Sequence, residues 1–192
     1  MRTALGFRAH SGWAALVAVS GTIEAPRVWE RRRIEIAGPG VRGSKQPFHA
    51  AMALPLEEAE ALVARAIESS RALALTAISA AREALRSQGH EVVCCAVLLA
   101  GSVKPLPALG KILASHALIH TAEGELFRKV LLWAARECQL PVTGVPEKLF
   151  DASSLPRLAS LGKLLGPPWT RDQKQATLAA LMALSIHPPL AE

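Results

Sequence analysis

Thr3-Ala-Leu-Gly-Phe-Arg8, Gly12-Trp-Ala-Ala-Leu-Val-Ala-Val-Ser20 and Arg27-Val-Trp-Glu-Arg-Arg-Arg-Ile-Glu-Ile36 are three extended patterns separated by turn residues. Ala9-His10-Ser11 has room only for a hairpin turn, and residues 21–26 make the next one. The middle segment is apolar on both faces, as a central strand is. The third alternates, with Val28, Ile34 and Ile36 on one face and Trp29, Arg31, Arg33 and Glu35 on the other. Its charge suits an edge or solvent-facing strand. Three strands joined by short turns are antiparallel neighbours, and this meander decides the first part of the fold.

Outward from the meander, residues 38–47 contain Gly-Pro-Gly and Gly-Ser and read as a loop. Helical period begins at Pro55, a good first-turn residue, with Glu57, Glu58 and Glu60 near the positive end of the helix dipole. Leu56, Ala59, Leu62, Val63, Ala66, Ile67, Leu73, Ala74, Ala77, Ile78, Ala81 and Leu85 trace its apolar stripe, and Gly89 stops it. Residues 91–100 predict a fourth strand and 101–107 a loop. A long helical region follows over 109–139, with a break expected near 121–124. Residues 140–145 predict a fifth strand, and helices are expected near 146–165 and 171–186. Helical crossovers make strands four and five parallel to the first. The expectation is one α/β domain over residues 1–192: a mixed five-stranded sheet, three strands antiparallel and two parallel, with helices on both faces.

Composition narrows the function classes. The chain has 192 residues, 51% hydrophobic and 20% charged, which excludes a disordered chain and suffices for a sizeable core without disulfides. No apolar run approaches the roughly 20 residues of a membrane helix, so no membrane association is expected. The net charge of +6 suits a polyanionic partner through steering. Of three cysteines, Cys94 and Cys95 are neighbours on one strand and point to opposite faces, and Cys138 completes no metal or redox spacing. Arg8, His10 and Ser11 crowd the apolar segment that an export signal would need uninterrupted. Reduced thiols and a cytoplasmic location are expected.

Several segments resemble the RuvC-type Holliday-junction resolvases of the ribonuclease H-like superfamily. Leu5-Gly6 followed by Gly12-Trp13-Ala14 resembles their first hairpin, where Leu-Gly-Ile-Asp-Pro-Gly leads to Thr-Gly-Trp. Residues 125–145, ending Cys138-Gln-Leu-Pro-Val-Thr, resemble their helix running into a Gly-Leu-Pro-Val strand. Asp172-Gln-Lys-Gln-Ala176 resembles their closing Asp-x-x-Asp-Ala motif. The resemblance implies a ribonuclease H-like fold and a nucleic-acid partner, DNA or RNA. It also implies three or four carboxylates around two Mg²⁺ ions, and here the chain departs from it. Phe7 and Arg8 stand where the first-strand Asp belongs, strand four ends Leu98-Leu-Ala-Gly-Ser102 without a Glu, and Gln175 replaces an acid of the last motif. Asp172 alone keeps its match, and Arg8 would repel a divalent cation.

Three constellations remain. His116, His120 and Glu123 fall on one helical face, a spacing suited to Zn²⁺, Mn²⁺ or Fe²⁺, although histidines capped by neighbouring groups would show the same pattern. His10, Ser11, Lys45, Gln46 and His49 are loop residues at strand ends, where open sheets hold ligands, although turn closure and helix capping also explain them. Arg27, Arg31, Arg32, Arg33 and Arg42 with Trp29 suit a phosphate backbone, or equally a charged edge strand interrupted by Glu30 and Glu35.

The reading is a nucleic-acid-associated ribonuclease H-like protein without the two-metal nuclease site, binding rather than cutting. The alternative is a small metal- or His-dependent hydrolase using His10, His49, His116, His120, Glu123 and Asp172, with Zn, Mn or Mg as the metal. Arg8, Ser102 and Asp172 should converge, with Lys45, Gln46, Trp169 and Lys174 around them as anion-binding residues. Asp172 is then expected to pair with Arg8 or Lys174.

Overall fold

A computed structural model describes residues 1–100, 105–150 and 158–188 of the chain. Strands β1 (Arg2–His10), β2 (Trp13–Gly21) and β3 (Pro26–Glu35) form the antiparallel meander, and β4 (Glu91–Leu99) and β5 (Val142–Pro146) join in parallel. The order across the sheet is β3-β2-β1-β4-β5. Four helices follow in turn: α1 (Pro47–Ala51), α2 (Leu56–Ser87), α3 (Leu109–Leu113) and α4 (His116–Glu137). Near the end come α5 (Leu161–Leu165) and α6 (Arg171–Ile186). No described helix is long and apolar enough to cross a membrane.

Two apolar layers sandwich the sheet. Leu5, Phe7, Leu16, Cys95 and Val97 pack with α2 and α4, while Ala4, Val19, Cys94, Ala96 and Leu98 pack with α6. This is the two-faced alternation of extended chain, and it puts the adjacent cysteines into different cores. Gly6 lies on the α6 face, where a Cβ would sit 1.9 Å from the Ala176 carbonyl oxygen. The bare glycine lets α6 cross β1 at backbone contact, which brings the helix N-terminus over the carboxyl end of β1.

The structure corrects the sequence reading in four places. β1 runs on to His10, so the hairpin loop is Ser11-Gly12, with Gly12 at φ +83° as a two-residue turn requires. The β2–β3 register shifts between Ala18 and Val19, leaving Trp29 as the extra residue of a bulge. Val28 therefore packs with α6, whereas Ile34 and Ile36 lie in the core on the other face. The long helical region breaks at Ser115, not at 121–124. Ser115 is extended (φ −137°, ψ 113°) and its side chain accepts from the Leu118 N–H, starting α4 afresh. Residues 146–165 hold a 3-10 turn (Glu147–Leu149) and α5 rather than one helix, with 151–157 outside the described residues. Helix α1 is not announced by periodicity, because five residues are too few to show a stripe.

Candidate functional site

β1, β4 and β5 are parallel, so their carboxyl ends share one edge of the sheet, the usual ligand edge of open α/β folds. Arg8 and His10 follow Gly6 at steps of two on β1 and so face α6. Glu147 follows β5 directly. Asp172 and Gln175 come from the first turns of α6, whose capping box (Thr170 with Gln173) fixes where the helix begins.

These elements bring an alternating set of charges together. Arg8 Nη1 lies 2.9 Å from Glu147 Oε2, and Arg8 Nε lies 3.7 Å from Asp172 Oδ1. His10 Nε2 is 2.9 Å from Asp172 Oδ2. Gln175 Nε2 donates to Glu147 Oε1 at 2.9 Å, and Arg171 reaches the same oxygen at 3.6 Å. Each of the four carboxylate oxygens thus faces a cation or a donor. The Arg8 hydrogen bond, against a smaller effect of burial, holds the Glu147 carboxyl below the usual carboxylate range. Two polar atoms here, Arg8 Nε and Gln175 Oε1, are buried without a hydrogen-bond partner. Beside the cluster, the His10 ring stacks on Trp13 (centroids 4.2 Å apart, planes at 11°), and Arg33 lies 4.2 Å over the Trp13 ring.

The expected meeting of Arg8 and Asp172 is present, and Asp172 pairs with Arg8 and His10 rather than with Lys174. Lys174 is half-buried on α6 and enters no ion pair among the described residues. Ser102 lies outside the described residues. Lys45 does lean over the β1–β2 turn, its Cγ 2.7 Å from where a Cβ of Gly12 would be, while Gln46 is exposed at the start of α1. The Trp169 indole packs over Gly162 and donates to the Leu158 carbonyl at 2.7 Å. Glu147, Arg171 and Trp13 are absent from the sequence-derived candidates, and Arg33 enters there only with the β3 arginines. Glu147 had a usable signal, its position one residue past a strand of the ligand edge, hidden because that segment reads as helix.

The arginines of β3 are mostly engaged within the molecule. Arg31 donates to the carbonyls of Leu165, Gly166 and Pro168, Arg32 pairs with Glu30 at 3.0 Å, and Arg33 pairs with Glu35. Trp29 turns inward and donates to Ser20 Oγ at 2.8 Å.

The four candidate histidines separate into two groups, packed with helices on opposite faces of the sheet. His10 belongs with Asp172. His49, on α1, joins His116 and His120 on the first turns of α4, with nitrogen atoms all within 4.8 Å of one another. Of the metal set read from the sequence, His116 and His120 meet His49 as the third ring, and Glu123 lies against His49. Glu123 is 4% exposed, and its Oε1 accepts from the backbone N–H groups of Phe48 (2.9 Å) and His49 (3.1 Å). His49 Nδ1 lies 3.3 Å from the same oxygen. Burial raises the Glu123 carboxyl above its usual range, opposed by these hydrogen bonds.

The sheet order, the parallel and antiparallel pairings and the two helical layers place the chain in the ribonuclease H-like fold class. Among solved structures it is similar to Thermus thermophilus RuvC in complex with Holliday junction substrate. The TM-score is 0.53, with 16% identity covering 100% of this chain and 99% of that one. A second Thermus thermophilus RuvC structure gives a TM-score of 0.47 and 15% identity, covering 93% of this chain and 90% of that one. At such identity the likeness is one of fold. No family model and no curated protein matches the chain.

Proposed function

We propose that this chain is a nucleic-acid-associated protein of ribonuclease H-like fold that binds rather than cuts. The observation that carries this reading is Arg8, seated between Glu147 and Asp172 at the carboxyl end of β1. Two-metal phosphodiester cleavage needs converging carboxylate oxygens free to ligate Mg²⁺. Here the oxygens of both acids are already met by Arg8, His10, Arg171 and Gln175, and a guanidinium in their midst opposes a divalent cation. The residues present do not fit a Mg²⁺ pair. A phosphate would instead meet the cationic and donor groups at the rim, the exposed Arg171 and the partly exposed His10.

The junction DNA held by the RuvC neighbour names the first probe. Four-way junction, duplex DNA and single-stranded RNA are each titrated with the protein over a range of salt, with and without Mg²⁺ or Mn²⁺. Binding should weaken linearly in log affinity against log salt, and no strand should be cut. Metal-dependent cleavage abolished by Asp172→Asn, or no binding to any of the three at low salt, overturns the proposal.

A further inference from the structure

We propose that His49, His116 and His120 form a binding site for one Zn²⁺ ion, with Glu123 as the positioning residue behind His49 and the fourth coordination position open to solvent. The site is independent of the Arg8 cluster, which lies against the opposite face of the sheet.

Three features carry it. The first is convergence from two elements: His116 and His120 are one helical turn apart on α4, and packing of α1 on α4 delivers His49 between them. The ring centroids are 4.5 Å (His116–His120), 4.8 Å (His49–His120) and 5.7 Å (His49–His116) apart. A tetrahedral ion with Zn–N bonds near 2.0–2.1 Å holds its nitrogens about 3.4 Å apart. The observed spread of up to 4.8 Å closes to that by small ring rotations. His116 and His120 are exposed and make no hydrogen bond or ion pair among the described residues, so only their edge contacts with one another and with His49 hold the rings.

The second feature is the buried carboxylate. Glu123 Oε1 takes the Nδ1 side of His49, which orients that ring and leaves its Nε2 for a metal. A carboxylate behind a histidine is the arrangement that fixes the tautomer and strengthens the imidazole as a ligand. Backbone N–H groups of Phe48 and His49 hold the same oxygen, so the carboxylate is locked in place rather than swinging free. Its other oxygen, Oε2, is buried with no hydrogen-bond partner.

The third is ligand chemistry. Three neutral imidazoles suit Zn²⁺ and its d-block neighbours and are poor ligands for Mg²⁺ or Ca²⁺, which demand oxygen. Three protein ligands leave one tetrahedral position. His116 and His120 are both exposed, so the site stands open to solvent.

The test uses the full chain, stripped with chelator and then titrated with Zn²⁺ by calorimetry and with Co²⁺ by visible absorption. One equivalent of each should bind, Co²⁺ giving the intense visible bands of a four-coordinate centre, and Mg²⁺ should not compete. His116→Ala and His120→Ala should each weaken Zn²⁺ binding about 100-fold or more with circular dichroism unchanged, since both side chains are exposed. Glu123→Gln should weaken it roughly 10- to 100-fold and shift the Co²⁺ bands, which a purely structural role would not do. Absence of stoichiometric Zn²⁺ binding, affinity unaffected by His116→Ala and His120→Ala, or competition by Mg²⁺ overturns the proposal.

Discussion

Gly6 shows how much a single position contributes. A methyl group there meets the Ala176 carbonyl, which is backbone and cannot turn aside, so α6 must lift from β1. Gly6→Ala is expected to destabilise the fold by about 1–3 kcal/mol, read from denaturant unfolding, and to loosen the Arg8–Asp172 pairing that the close approach sets up. Glu147 makes a pH prediction. Its carboxyl titrates lower when folded than when unfolded, chiefly because Arg8 hydrogen-bonds the charged form. The stability it contributes is present above its unfolded pKa and is lost as pH falls through the lowered folded value. Glu147→Gln should therefore flatten the acid limb of the stability profile, lowering stability most at neutral pH and least in acid below the lowered folded value, as denaturant unfolding across the pH range would show. The thiols make a third. Burial pushes Cys94 up to about 11 and Cys95 well above its usual value, whereas Cys138 is half-buried. Alkylation of the native chain should label Cys138 quickly and the other two only after unfolding, as mass spectrometry would show.

Among the elements, α6 matters most because its first turn carries Asp172 and its third residue beyond that carries Gln175. Its start is set by reciprocal bonds between Thr170 and Gln173, with the Thr170 N–H donating to Gln173 Oε1 at 2.8 Å. Thr170→Ala removes one half of that cap. A loss of about 1 kcal/mol is expected in chemical denaturation, with faster amide exchange confined to the first turn of α6. The β3 bulge acts at the same scale. One extra residue at Trp29 turns that side chain toward α2, where it meets His90 (centroids 4.1 Å), and hands Val28 to the α6 side. Alternation read along β3 fails there because a bulge moves every residue beyond it to the other face.

Over the whole molecule, the charge of +6 is distributed so that most β3 arginines are paired internally while Arg171 stands exposed at the edge of the Arg8 cluster. If phosphate is held there, Arg171→Ala should weaken DNA or RNA binding to a similar degree for every sequence. It should also reduce the slope of log affinity against log salt by about one.

Hydrophobic period and turn chemistry were enough to read the meander, the parallel strands, the 32-residue α2 and its stop at Gly89. These are local: which residues alternate and where the chain must turn are properties of neighbours in sequence. The Arg8–Asp172 approach was also legible, because strand order and crossover direction dictate which ends share an edge. His49 was visible only as a loop polar residue and Glu123 only as a ligand on the His116 face. Their true relation depends on a five-residue helix docking against α4 from more than sixty positions away in the chain. No periodicity encodes that contact. It is set by which apolar surfaces, Phe48 and Ala51 against Ala122 and Leu126, bury one another when the layers close, and only the tertiary structure decides it.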